Sequence, residues 1–274
     1  MITSQSYAAF CEYLVSACGI VLGEKKEYLV SSRLRPVLES NALSSLDELL
    51  SKLRLGNMKL RQQVVDAMTT NETLWFRDNH PFRYFQNELL EELYKAAGAR
   101  RPKIWSAACS SGQEPYSIAI CAAELSKKKP LLSSRSLDVV ATDISSSILE
   151  VARSAEYDSL SLKRGMSDER LKTFFDKTQR ETWVIKPAIK NMIQFKPLNL
   201  QESYHSLGGK LDMVFCRNVL IYFSSKNNPK IVWVGFKENK TINRIYQELN
   251  NQTLKLNISK EKRAFSPHLT IGRI

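Results

Sequence analysis

Apolar positions recur at helical spacing through the first eighty residues. Residues 6–17 carry such a stripe and stop before Gly19. A second stripe over residues 24–40 presents Tyr28, Leu29, Leu34, Val37 and Leu38. Ser45 and Glu48 form a capping-box pair that opens a third helix over 46–53, and an amphipathic fourth follows over 59–70. The pattern predicts a small all-helical module ahead of a larger domain.

The period changes after residue 101. KIWSAA (103–108) is a short continuous apolar run, predicted to be a buried strand, and 114–125 reads as a helix. LDVVAT (137–142) and 145–155 repeat that strand–helix unit. Residues 192–195 make a third, shorter strand, and LDMVFC (211–216) a fourth. Strands alternating with helices predict an α/β fold with a parallel sheet and right-handed crossovers. Residues 156–192 break the alternation, with a helix expected over 167–175 and a small strand over 182–186.

Composition narrows the class without naming a function. The 274 residues are 43% hydrophobic and 25% charged, as in ordinary globular chains. No apolar run approaches the ~18 residues that span a bilayer, and the N-terminus lacks the basic start of a secretory signal. A cytoplasmic protein without membrane insertion is expected. The five cysteines show no CxxC spacing and are read as free thiols. With three histidines, no metal site is expected. The net charge of +12 is uneven: residues 1–80 are neutral and residues 226–274 carry +7. A basic tail fits nucleic acid, an acidic protein surface or a plain solvated face.

The candidate chemistry lies at the carboxyl ends of the predicted strands, where ligands bind in open parallel sheets. CSSGQEPY follows the first strand. Its small residues allow close backbone approach, Gly112 permits an unusual φ, and Pro115 suits a first helical turn. Asp143 ends the second strand, about thirty residues on, placed to accept hydrogen bonds from ribose hydroxyls. Asn199 and Leu200 follow the third strand and pair one polar with one apolar contact, suited to an adenine ring. Arg217, Asn218 and Tyr222 follow the fourth. The loop is not G-x-G-x-x-G and has no P-loop lysine, which argues against a dinucleotide or a triphosphate. What remains is a nucleoside with a small tail. The segment TTNETLWFRD (69–78) mixes polar residues with two aromatics and an arginine, and by itself reads as a capped helix start with packing aromatics.

TTNETLWFRD, WSAACSSGQEPYSIA, ATDIS and LDMVFCRNVLIYF resemble, in order and spacing, runs of the CheR-type chemoreceptor glutamate methyltransferases. The resemblance covers residues 1–225, about four-fifths of the chain. It implies a helical N-terminal domain (1–80) and a class I, Rossmann-like methyltransferase domain (81–225) with a small β subdomain near 156–192. It also implies S-adenosylmethionine as cofactor, S-adenosylhomocysteine as product, and the cytoplasmic helical domain of a chemoreceptor as partner. By this similarity Asn71, Thr73 and Arg77 contact the methionine portion, and Glu114 lies by its amino group. Asp143 binds the ribose, and Asn199 and Leu200 hold the adenine. Arg217 and Asn218 line the pocket near the transferred methyl, while Tyr222 and Arg77 orient the substrate carboxylate. The alternative for Arg217 and Tyr222 is a strand-end ion pair and a packing aromatic. Some members of the family carry a glycine-containing insertion that grips a receptor's C-terminal peptide; FFDKTQRETWVIKP has no glycine, so no dependence on such a peptide is expected.

The resemblance breaks after Phe223. PKIVWVGF and FSPHLTIGR resemble instead the second half of the two-histidine phosphodiesterases that act on RNA 2′,3′-cyclic phosphates, with His268 and Thr270 matching one H-x-T motif. That chemistry needs two histidines, a base and an acid. His80 and His205 are not in H-x-T motifs, so neither phosphodiesterase activity nor a nucleic-acid partner is expected. Residues 226–274 therefore read as a β-α-β tail of foreign origin, with its helix over 239–254, a chimera joined near 224–229; the alternatives to an active methyltransferase are a cofactor-binding chimera with impaired catalysis and weak RNA binding through the basic tail.

Overall fold

A computed structural model describes residues 2–129 and 136–223, together with the backbone of two strands, Ile231–Gly235 and His268–Arg273. The first four helices are α1 (Ser4–Cys18), α2 (Glu27–Ser40), α3 (Leu46–Arg54) and α4 (Met58–Met68). They enclose their own core, with Phe10, Leu14, Val30, Leu34, Leu49, Leu60 and Val64 buried at its centre. Helix α2 starts three residues later than the apolar pattern indicated, after an uncapped Lys26. The cap of α3 is shifted by one residue from the expected box. Ser45 Oγ accepts from Glu48 N at 3.2 Å, but the Glu48 carboxylate turns to Ser44, accepting from its N at 2.9 Å and its Oγ at 3.0 Å.

The next elements were not anticipated. Helix α5 (His80–Tyr84), a π turn (Phe85–Leu89) and α6 (Leu90–Ala97) form one continuous rod. Phe82 is buried before the π turn, Phe85 and Leu89 within it, and Leu90, Tyr94 and Ala97 after it. The apolar stripe slips by one residue at the turn. The extra residue of the π turn absorbs that slip and keeps both halves on the core.

Four parallel strands follow: β1 (Lys103–Ala107), β2 (Asp138–Asp143), β6 (Ile193–Pro197) and β7 (Met213–Cys216), in the order β6-β2-β1-β7. Ile104 sits between Val139 and Met213, which sets the register across the centre. β1 and β2 are buried almost throughout, as expected of central strands covered on both faces. Helices α7 (Gln113–Lys128) and α8 (Ser146–Ser154) are the crossovers. The sequence-derived strands and crossovers match to within a few residues.

Between α8 and β6 lies a three-stranded antiparallel sheet, β3 (Glu156–Tyr157), β5 (Trp183–Ile185) and β4 (Phe175–Lys177), with α9 (Ser159–Lys163), α10 (Asp168–Phe174) and α11 (Pro187–Lys190) around it. Only α10 and β5 were expected. Strands of two and three residues are too short to show a period of two. This unit is bolted to the main domain at α10, where Arg170 Nε and Nη2 donate to the two Glu124 oxygens at 2.7 and 2.9 Å. The five cysteines are free, as read from their spacing. In the tail, Ile231–Gly235 (β8) and His268–Arg273 (β9) pair antiparallel, with Gly235 opposite His268. The helix expected over 239–254 lies outside the described residues.

Candidate functional site

A cavity of about 220 Å³ opens where the four parallel strands end. All ten residues singled out from the sequence line it. Asn71, Thr73 and Arg77 come from the segment joining the helical module to α5. Glu114 comes from the first turn of α7, and Asp143 from the last residue of β2. Asn199 and Leu200 follow β6, and Arg217, Asn218 and Tyr222 follow β7. The fourth side is a wall the sequence did not reveal. Ile20, Val21 and Leu22, with Leu29, Arg33 and Met68, close the cavity from the helical module. The signal was present as three successive apolar residues outside any helical stripe. Arg33 fastens the connecting segment, donating from Nη1 to Met68 O at 2.7 Å and from Nη2 to Thr70 Oγ1 at 3.1 Å. Val21 N donates to Tyr222 O at 2.8 Å and seals the wall to the end of β7.

The turns around the cavity are strained. Phe76, Asp78, Asn79, Ala108, Ser110 and Asn218 all adopt positive φ, between 48° and 65°. Such conformations cluster where the surrounding structure forces them for function. Gly112 has the positive φ anticipated for it, and a Cβ there would press within 3.0–3.2 Å of Tyr116, the Tyr157 hydroxyl and Ala152. TTNETLWFRD is not a helix start. Its Trp75 and Phe76 are buried, with Trp75 edge-on to Tyr157 at 4.9 Å and to Phe175 at 5.5 Å.

Asp143 is 6% exposed. Its Oδ2 accepts from Ser110 N at 2.8 Å and its Oδ1 from Ser145 N at 3.0 Å. Burial raises its pKa, and these N–H groups pull the other way. A carboxylate has about four acceptor sites, and the N–H groups of Ser110, Ser145 and Ile144 do not fill them all. Burial likewise raises the pKa of Glu114, opposed by Arg217 and by Ser106 Oγ, which donates to Oε1 at 2.8 Å.

Arg217 is both things the sequence allowed, a cavity residue and a strand-end ion pair. Its Nη2 lies 2.6 Å from Asp78 Oδ2 and donates to Arg77 O at 2.9 Å, while Nη1 reaches Glu114 Oε2 at 3.5 Å. The Asn199 amide is also committed: Nδ2 donates to Ala17 O at 3.0 Å and Oδ1 accepts from Gln201 N at 3.1 Å. Nδ2 also reaches Glu202 Oε1 at 3.4 Å. Leu200 packs with Trp105, Leu198 and Leu207.

Among the described residues no cluster of His, Cys, Asp or Glu could hold a metal ion, and no helix is long and apolar enough to cross a membrane. The two carboxylates, an apolar side and small-residue turns instead suit a nucleoside carrying an amino acid tail. The "CheR methyltransferase, SAM binding domain" family matches residues 71–250, and the "CheR methyltransferase, all-alpha domain" family matches residues 5–69. Chemotaxis protein methyltransferase 1 of Pseudomonas aeruginosa is 50% identical over 220 residues, covering 80% of each chain. Its namesake in Vibrio cholerae is 50% identical over 232 residues, 84% of this chain and 83% of that one. The chemotaxis protein methyltransferase of Salmonella typhimurium is 34% identical over 230 residues, 82% of this chain and 76% of its own. The chain belongs to the CheR methyltransferase family, whose catalytic domain binds S-adenosylmethionine.

Proposed function

We propose that this chain transfers a methyl group from S-adenosylmethionine to glutamate side-chain carboxylates of chemoreceptors. The observation that carries this reading is the convergence of all ten sequence-derived residues on one cavity. Working in the cytoplasm, the enzyme would meet the receptor's cytoplasmic helical domain. Residues 1–80 serve as the helical domain and 81–225 as the catalytic domain, with 156–192 as its subdomain.

The donor set fits the cofactor. Asp143 keeps acceptor capacity for the ribose hydroxyls. Glu114, part-buried and lining the cavity, takes the cationic amino group. Asn199 and Leu200 flank the adenine; Asn71, Thr73 and Arg77 hold the methionine portion. When bound, the cofactor supplies an electrophilic methyl on a sulfonium. The chain's own work is to align. A glutamate carboxylate is ionised near neutral pH, so the enzyme needs no strong base. Arg217 is committed to Asp78, Glu114 and the Arg77 carbonyl, and acts by holding the floor of the pocket together with Asn218. Arg77, whose Nη1 also donates to Glu72 O at 3.2 Å, and Tyr222 grip one carboxylate oxygen while the other attacks. In-line alignment of this kind contributes up to roughly 7–11 kcal/mol.

The test is methyl transfer to a receptor cytoplasmic fragment, with and without its C-terminal peptide. Transfer to both, lost when the acceptor glutamates become alanine, supports the reading. Failure to bind S-adenosylhomocysteine overturns it, and transfer only with the peptide overturns peptide independence.

For the tail we propose the chimeric origin described above. The antiparallel pairing of β8 with the strand bearing His268 and Thr270 supports it, while the family match reaching residue 250 weighs against a junction as early as 224–229. No hydrolysis of a 2′,3′-cyclic nucleotide is expected; measurable turnover would reopen the RNA reading.

A further inference from the structure

Arg217 stands between two acids. Its side chain is 5% exposed, its Glu114 partner 13% and its Asp78 partner 63%. The closer contact is to the exposed acid, 2.6 Å to Asp78 against 3.5 Å to Glu114. The same nitrogen that meets Asp78 donates to the carbonyl of Arg77 at 2.9 Å. Asp78 therefore draws the guanidinium across the backbone of the residue whose side chain reaches into the cavity.

That backbone is held against its preference. Phe76, Asp78 and Asn79 have φ of 48°, 65° and 50°. Strain of this kind persists only when neighbours over-determine it. The fasteners are identifiable. Phe76 N donates to Ser117 Oγ at 3.1 Å, the Arg170 guanidinium lies 3.8 Å over the Phe76 ring, and Asn79 N donates to Phe76 O at 2.8 Å. The Asp78–Arg217 contact ties the turn to a residue that lines the cavity.

We propose that Asp78 is a positioning residue for methyl transfer. It holds Arg217 on the strained turn that aims Arg77, and it keeps Arg217 from closing fully on Glu114. This rests on the reading of the cavity as the methyl-transfer site. Without Asp78 the buried cation has one acid left and swings towards it, since a buried charge goes to whatever partner remains. The Arg77 carbonyl then loses its donor and the turn relaxes.

The experiment compares Asp78→Ala, Asp78→Asn and Asp78→Glu in the full chain. It measures kcat on a receptor fragment, melting temperature, S-adenosylhomocysteine affinity, and ligand-free hydrogen exchange at Asn79. The alanine variant should lose kcat by roughly tenfold to a hundredfold, as small misplacements do. Glutamate should restore most of it and asparagine only part. The Asn79 amide should exchange faster in the alanine variant while the melting temperature stays near the parent's. A kcat within twofold of the parent overturns the proposal. So does a parallel fall of kcat and melting temperature in all three variants, which makes the role merely structural. If the parent itself neither binds S-adenosylhomocysteine nor transfers methyl, the functional reading fails. The exchange rate at Asn79 still reports separately whether Asp78 holds the turn.

Discussion

The amide nitrogen of Asn199, at the end of β6, donates to the carbonyl of Ala17 in the last turn of α1 at 3.0 Å. Gln201 Nε2 reaches Val15 O beside it at 3.3 Å, and Arg61 Nη2 reaches the same Ala17 carbonyl at 3.2 Å. The last carbonyls of a helix have no partner within the helix. Here Arg61 of α4 and, from the methyltransferase domain, Asn199 and Gln201 supply them, so the residue expected beside the adenine also joins the two halves of the protein.

Replacing Asn199 with alanine removes that donor from a buried site. Loss of a buried hydrogen bond costs about 1–3 kcal/mol, and the helical module should loosen from the sheet. Denaturant unfolding should show a lower midpoint. S-adenosylhomocysteine should bind more weakly, because Cys18, Ile20 and Leu22 on the far wall depend on the same contact. Unchanged affinity with lowered stability would confine Asn199 to joining the domains.

Asp143→Ala tests the ribose contact directly. Hydrogen bonds to a charged acceptor are worth about 1.5–3 kcal/mol each, so calorimetry should show at least tenfold weaker binding of S-adenosylhomocysteine. Asp143→Asn should fall between, since it keeps an acceptor but presents an NH2 to Ser110 N or Ser145 N. Parent-like affinity in the alanine variant would place the ribose elsewhere.

The strand-end residues were legible because a parallel sheet puts its ligand at the carboxyl ends, and the sheet itself was written in continuous apolar runs. Asp143 and Asn199 follow from that rule, and the role of Glu114 from the family resemblance of its loop. What the sequence hid is long-range. Ala17 and Asn199 are 182 positions apart, and no local pattern relates them. The wall of Ile20, Val21 and Leu22 reads locally as a loop. β3 and β4 are too brief for a period, and the π turn breaks the stripe that would have announced the helical rod over 80–97. The double engagement of Arg217 depends on Asp78 adopting a positive φ, which the residue type permits but does not announce.

Burial raises the pKa of both Asp143 and Glu114, and this sets a pH dependence. A carboxyl with a raised folded pKa keeps its proton longer in the native state than in the unfolded chain. Between the ordinary carboxylate value and the raised one, the native state binds more protons, so unfolding free energy falls as pH rises through that window. Cofactor binding works in the opposite sense. A cationic amino group at Glu114 and ribose hydroxyls at Asp143 favour the ionised forms. Affinity for S-adenosylhomocysteine should therefore rise with pH through the same window, with protons released on binding. Calorimetry in buffers of different protonation enthalpy measures that release, and Glu114→Gln should diminish it. Proton uptake on binding would contradict the assignment of Glu114.

The coupling of the small subdomain to the cavity is testable at Gly165, in the turn between α9 and α10. Its φ is +108°, and a Cβ there would fall 2.1 Å from the carbonyl oxygen of Trp75 and 3.0 Å from its carbon. Both are backbone atoms of a segment already pinned, since Trp75 N donates to Arg164 O at 3.2 Å and its ring is wedged between Tyr157 and Phe175. Gly165→Ala must push Trp75, and the push passes along the chain to Phe76 and Arg77 at the cavity. The variant should lose at least about 2 kcal/mol of stability and bind S-adenosylhomocysteine more weakly. Gly98→Ala is the control. It shares a positive φ of +64°, with ψ at −123°, but meets nothing within 4 Å, so it should cost only its own backbone strain of about 1–3 kcal/mol and leave binding unchanged. Equal effects on binding from both variants would mean that the subdomain does not brace the cofactor segment.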